Sequence, residues 1–84
     1  MLGVTNVLLE GDYLVSVEFN DGQTGLIYFK TEFEKDHREI IQELLDPEIF
    51  KTVKIKYDTL CWDNGVDYAP EYLYEQMILQ KKAA

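Results

Sequence analysis

The chain has 84 residues, of which 16 are acids, 8 are bases and 46% are hydrophobic, for a net charge of −8; this fits one domain, 1–84, with an ordinary globular apolar fraction. No run approaches the ~20 apolar residues of a membrane span, no basic-then-apolar secretory signal opens the chain, and the acidic balance lacks the positive footprint of a direct nucleic-acid binder. A small cytoplasmic domain, with no membrane and no nucleic-acid contact, is the expectation.

The first half reads as strands. Val4 to Glu10 is an apolar run that Gly11-Asp12 turns. Tyr13, Val15, Val17 and Phe19 alternate with Leu14, Ser16, Glu18 and Asn20, the period of two of a half-buried strand. Asn20-Asp21-Gly22-Gln23 is a hairpin signal, because Asp-Gly tolerates the positive φ of a type I′ turn. With Asp21-Gly22 as the two loop residues, Phe19 faces Thr24, Val17 faces Leu26 and Val15 faces Tyr28, giving one apolar ladder on one face. The opposite face, with Leu14, Ser16, Glu18, Ile27 and Phe29, is mixed and only partly covered.

A helix follows, with Thr31 as N-cap and Glu34 as the reciprocal residue of a capping box. Asp36-His37-Arg38-Glu39 offers a second start. Phe33, Ile40, Ile41, Leu44 and Leu45 make a helical stripe, and His37 falls on or beside it as a half-buried packing residue. Asp46-Pro47 stops this helix and begins another turn, with Asp46 capping and Pro47 at the first helical position. Ile49 and Phe50 then enter the core.

Val53, Ile55 and Tyr57 alternate with Lys54 and Lys56, a strand with one wet face. A turn at Asp58-Thr59 leads into Leu60-Cys61-Trp62, with Ile55 and Trp62 on one face and Cys61 on the other, beside Lys54 or Lys56. Asn64-Gly65 breaks the strand. Pro70 opens a terminal helix from Glu71 to about Lys81, whose end charges suit the helix dipole. Leu73, Tyr74, Met77 and Ile78 form its apolar face. Tyr72 and Leu79 lie off that face, so the helix is greasier than one docking surface requires. Ala83 and Ala84 read as a frayed end.

Catalytic signals are sparse. No GxGxxG, P-loop, HExxH, CxxC or nucleophile elbow occurs. His37 is the only histidine and stands without a nucleophile. Cys61 is the only cysteine, which excludes an internal disulfide and a cysteine zinc site. Asp63, Asp67 and Glu71 recur at spacing four around Asn64-Gly65. Carboxylates near a glycine turn can bind Ca²⁺ or Mg²⁺, but the EF-hand pattern is missing, and turn and capping chemistry accounts for the same residues. Tyr68, Tyr72 and Tyr74 cluster near the last helix with Trp62. Such residues suit interfaces, burying area while keeping a polar tip.

Three stretches, FNDGQTG at 19–25, LLDPEIF at 44–50 and WDNGVDYAPEYLY at 62–74, together resemble the small bacterial family known as domain of unknown function 2442. Phe19, Asp21, Gly22, Leu45, Asp46, Phe50, Val53, Trp62, Gly65, Asp67, Pro70 and Glu71 match its pattern, and Tyr28 stands where the family usually carries an acid. The resemblance implies an α+β fold and no enzyme activity. The expected sheet is small and mainly antiparallel: a β-hairpin, two further short strands and an N-terminal strand, with two helices packed on it. Some relatives look fused to a DNA-binding segment, and others look encoded beside a second small protein in a toxin–antitoxin arrangement.

From residues and resemblance together, the expected function is a non-enzymatic protein-interaction module, the antitoxin-like or regulatory half of a small operon, with no cofactor. Its expected surface is Tyr68, Glu71, Tyr72, Glu75, Met77 and Leu79. Its expected partner is another protein of basic charge, with a second copy of the chain as the other candidate. The alternative is a small-ligand or divalent-metal site at the Trp62–Glu71 loop, with or without catalysis, with Asp63, Asp67 and Glu71 as the metal ligands.

Overall fold

In the computed structural model, which describes residues 1–83, the chain opens on three antiparallel strands: β1 (Val4–Gly11), β2 (Leu14–Phe19) and β3 (Thr24–Tyr28), in sheet order β1-β2-β3. The hairpin between β2 and β3 differs from the sequence expectation by one residue. Phe19 N–H donates to Gln23 O at 2.9 Å and Gly22 N–H donates to Phe19 O at 3.0 Å, so the loop is the three residues Asn20, Asp21 and Gly22. Only Gly22 among them has positive φ, +89°, whereas a type I′ turn needs it at both central positions. Val15 therefore pairs with Ile27, Val17 with Gly25, and Leu14 with Tyr28.

A slip of one residue turns a strand over. Ile27 and Phe29 point into the core and are 1% exposed, while Leu26 and Tyr28, expected inside, are 51% and 42% exposed.

The expected long helix is broken in two: α1 (Lys30–Lys35) and α2 (Glu39–Gln42), followed by a 3₁₀ turn at Glu43–Leu45. Phe29, not Thr31, occupies the N-cap of α1, and no side chain caps it. The break lies at Asp36, whose carboxylate accepts from the Arg38 N–H at 3.1 Å and so competes with the helix ladder. The break re-aims the stripe. Phe33, Ile41 and Leu44 stay buried, but Ile40 is exposed and His37, expected half-buried, is exposed too. Gln42 holds the corner by donating to Phe33 O and Asp36 O.

Asp46-Pro47 behaves as expected: α3 (Pro47–Phe50) has Asp46 as N-cap, its side chain accepting from Glu48 N–H, and Pro47 in the first turn.

Strands β4 (Lys54–Lys56) and β5 (Thr59–Cys61) form a separate two-stranded sheet. Ile55 pairs with Leu60, so the turn is Tyr57-Asp58 rather than Asp58-Thr59. Both turn residues have positive φ, 53° and 64°. After β5, Trp62–Val66 repeats the first loop. Trp62 N–H donates to Val66 O, Gly65 N–H donates to Trp62 O, both at 3.0 Å, and Gly65 has φ +93°. FNDGQ and WDNGV are thus one loop type used twice, each with an aromatic at its start.

The chain closes with α4 (Pro70–Ala83), which packs across β3; Ala84 lies outside the described residues. Gly25 is where helix and strand meet: a Cβ built there would lie 2.6 Å from Met77 Cγ. Gln80 bonds both backbone groups of Tyr28, accepting from its N–H at 2.8 Å and donating to its C=O at 3.3 Å, so α4 caps the β3 edge. The core gathers Val15, Val17, Phe19, Ile27 and Phe29 from the sheet with Phe33, Phe50, Trp62, Leu73 and Met77 from the elements packed on it. The architecture is α+β, as expected, and among the described residues no helix is long and apolar enough to cross a membrane.

Candidate functional site

The Trp62 loop is wired into the helical layer. Trp62 is 2% exposed and its Nε1–H donates to Phe50 O at 3.0 Å. Asn64 donates through Nδ2 to Ile40 O and to Glu43 Oε1, at 3.1 and 3.0 Å. Asp63 N–H donates to Thr52 Oγ1 at 3.1 Å. Its carboxylate is ion-paired with Lys54.

Tyr68 follows as the outer rung of an aromatic stack. Its ring centroid lies 6.0 Å from Trp62 and 6.0 Å from Phe29, and it stacks on Tyr72 at 5.2 Å. Thr59 Oγ1–H donates to Tyr68 O. The Tyr72 hydroxyl donates to Glu32 Oε2 at 2.9 Å. Burial pushes the Tyr68 phenol up to about 12. Burial and then the Glu32 hydrogen bond push Tyr72 upward also, so both phenols stay neutral at physiological pH. Tyr74 lies edge-on to Phe19 at 4.9 Å and donates to Asp21 Oδ2 at 2.7 Å. That bond raises the phenol and lowers the carboxylate.

These contacts divide the surface expected from sequence. Met77 is fully buried beneath α4. Tyr68 and Tyr72 are half-buried in the stack, and only Glu71, Glu75 and Leu79 are exposed. Nor do the three expected metal ligands converge. Asp63 is turned to Lys54, Asp67 is exposed beside its backbone bridge to Cys61, and Glu71 lies in the first turn of α4. Among the described residues no three His, Cys, Asp or Glu side chains form a metal-binding group.

A shallow groove of 270 Å³ does lie beside the loop, lined in part by Lys54, Lys56, Cys61, Asp63 and Asp67. Cys61 sits opposite Lys54 in the β4–β5 register and is 9% exposed. The groove offers cationic and anionic side chains together, a setting for a small polar molecule.

A second surface is the sheet face that the sequence reading left partly covered, with Leu26 and Tyr28 on it in place of the expected Ile27 and Phe29. The outer face of the three-stranded sheet carries Leu8, Ser16 and Leu26 on one cross-strand rung and Leu14 with Tyr28 on the next. Leu8 is 58% exposed. Asn6, Glu18 and Thr24 form a polar rung above. A groove of 420 Å³ lined by Leu14, Gly25, Leu26, Gln80 and Lys81 borders this face on the β3 side. The signal that finds it is the third loop residue in Asn20-Asp21-Gly22, since a three-residue loop with glycine last puts Leu26 and Tyr28 outside.

No curated protein and no solved structure matches the chain. A family model described as "Protein of unknown function (DUF2442)" matches residues 4–78, spanning the β1–β3 sheet, the Trp62 loop and most of α4, and the chain belongs to that family.

Proposed function

We propose that this chain is a non-enzymatic protein-interaction module that docks a second, basic protein on the outer face of its three-stranded sheet, as the regulatory or antitoxin-like half of a small bacterial operon. The observation that carries this reading is the exposed apolar side chains on that face: Leu8 on β1 and Leu26 and Tyr28 on β3 are 58%, 51% and 42% exposed, on either side of β2, whose Leu14 shares the face. Contiguous apolar side chains rimmed by polar ones mark interaction sites more often than isolated exposed leucines do. The net charge of −8 selects a basic partner and speeds its encounter, with a rate that falls as salt rises.

The test is co-purification from the native host with tagged wild-type chain and a Leu8→Ser, Leu26→Ser, Tyr28→Ser variant. A basic protein retained by the wild type and lost by the folded variant supports the reading. Equal retention by both, or light scattering that shows the face occupied by a second copy, sinks it.

A second reading draws on the groove at Lys54, Cys61 and Asp67: a site for a small polar ligand. Thermal-shift screening with Ca²⁺, Mg²⁺, Mn²⁺ and a metabolite panel tests it. A ligand at 100 times its Kd adds about 2.7 kcal/mol, and that gain is expected to vanish in Asp67→Asn. A flat panel removes this reading.

A further inference from the structure

We infer that the open edge of β1 at Val7–Leu9 accepts an extended, basic segment of the partner as a fourth strand. This rests on the interaction-module reading above and specifies how the partner engages.

Hydrogen-bond parity locates the open edge. Phe19 donates to Gln23 O, and Phe29 N–H donates to Tyr13 O, so the odd-numbered residues of β2 bond toward β3. The even-numbered ones bond toward β1, where Ser16 pairs with Leu8 and Glu18 with Asn6. Asn6 and Leu8 therefore direct their backbone groups inward to β2. Val7 and Leu9 direct their N–H and C=O groups outward, where no strand among the described residues pairs with them.

On β3, Gln80 covers Tyr28 and Lys81 lines the groove beside Gly25 and Leu26, a cation that disfavours a basic strand there; on β1, the β4–β5 turn bonds the first residue, where Val4 N–H donates to Asp58 O at 2.8 Å. Register shifts between Val4 and Asn6 and between Leu9 and Gly11 bound the straight segment. Edges are ordinarily blocked by lysine, proline or inward charge. The sequence VTNVLLEG of β1 has no lysine or proline.

The side chains there suit an incoming strand. Leu8 and Leu9 are 58% and 48% exposed and point to opposite faces, so one added strand covers both. On the inner side, Leu9 leads into a 430 Å³ groove lined also by Glu10, Asp12, Pro47, Glu48 and Phe50. Its one base, Lys51, is ion-paired with Glu48. An apolar floor beside a carboxylate free among the described residues accepts a lysine or arginine whose stem lies on Leu9 and Phe50 while its head meets Asp12. Strand addition takes its affinity from main-chain bonds and its specificity from such alternate pockets. Charge decides between occupants: a second copy would bring the same carboxylates to this edge.

The probe is a fluorescein-labelled peptide of alternating lysine and valine, with a glutamate–valine counterpart and a lysine–valine version N-methylated on alternate residues. Hydrogen exchange of the full chain is read by NMR. With the lysine–valine peptide, exchange at Val7 and Leu9 is expected to slow at least tenfold. Asn6 and Leu8, bonded already, are expected to change little. Leu9→Pro, which removes an outward N–H, and N-methylation of the probe are each expected to abolish binding, whereas Leu26→Ser leaves the peptide bound.

Binding without new protection at Val7 and Leu9, or binding that survives N-methylation, overturns the edge assignment. Equal binding of the glutamate peptide overturns the basic partner. No binding by any peptide, or a free chain that is a dimer with Val7 and Leu9 already protected, overturns the inference as a whole. Loss of partner capture through Leu26 and Tyr28 is read independently, so the docking face can stand while the edge assignment fails.

Discussion

Gly25 shows how one missing side chain fixes an element. With Met77 Cγ 2.6 Å and Sδ 2.9 Å from the site of a Cβ, alanine there must push back a fully buried methionine. Overpacking of a filled core costs about 1–3 kcal/mol, and Gly25→Ala is expected to lose that much in urea unfolding. An unchanged midpoint would mean that α4 lifts off β3 without penalty.

Asp36 supplies a second residue-scale expectation. Its carboxylate accepts from the Arg38 backbone and guanidinium, and these bonds hold it down at about 2, below the ordinary 3.8. The folded state therefore prefers the charged form. This contribution is complete above about pH 4 and fades as pH falls through 2. Asp36→Asn should flatten the stability profile between pH 4 and pH 2 and change its shape little above pH 5. A variant with the wild-type acid slope would place the acid sensitivity elsewhere.

At the scale of elements, the β4–β5 turn places two successive non-glycine residues at positive φ, where the β1–β2 turn has one, Tyr13 at 62°. Gly22 and Gly65 adopt positive φ freely, but Tyr57 and Asp58 adopt it at 53° and 64°, a region that costs an ordinary residue roughly 1–2 kcal/mol. The second position of a type I′ turn favours glycine. Asp58→Gly is expected to stabilise by about 0.5–1 kcal/mol, after the extra unfolded-state entropy of glycine is subtracted. The Val4 bond to Asp58 O involves only backbone and survives the change. A loss of stability would show that the Asp58 side chain holds the turn.

The same elements show what a sequence can and cannot reveal. Asp46-Pro47 and Pro70 were legible because capping and proline geometry act within four residues. Strand alternation in β2 was legible as well. The β3 face was not, because two- and three-residue loops around Asp-Gly differ by one hydrogen bond, and that single bond reverses every later side chain. The helix break at Asp36 was hidden because a capping signal and a continuing apolar stripe overlap there. Met77 looked available because the neighbour that buries it, Gly25, lies 52 residues away in sequence. The place of Leu8 on the outer sheet face and the β1 edge escaped for the same long-range reason.

For the molecule as a whole, the acidic charge sets a testable balance. The radius of gyration is 11.9 Å, against about 11.8 Å expected for a compact chain of this length, so a net charge of −8 is confined in a body of 32 × 28 × 20 Å. At 0.01 M salt the screening length is about 30 Å, as long as the molecule, and at 1 M it is about 3 Å. Low salt thus lets every carboxylate repel every other. Opposing this are the exposed ion pairs Arg38–Asp36, Lys51–Glu48 and Lys54–Asp63, each worth about 0–1 kcal/mol and screened as well. From Asp58 to Gln80 the chain has five acids and no base, and only Asp63 among them is ion-paired, with Lys54, so repulsion there has little local compensation. Self-repulsion should win, and Tm at pH 7 should climb steadily as sodium chloride rises from 0.01 to 0.5 M. Binding to the basic partner should weaken over the same range, because screening that relieves the free chain also removes the attraction. A Tm that falls with salt would mean that the three ion pairs outweigh the net charge, and the acidic surface would then lose its role in selecting a basic partner.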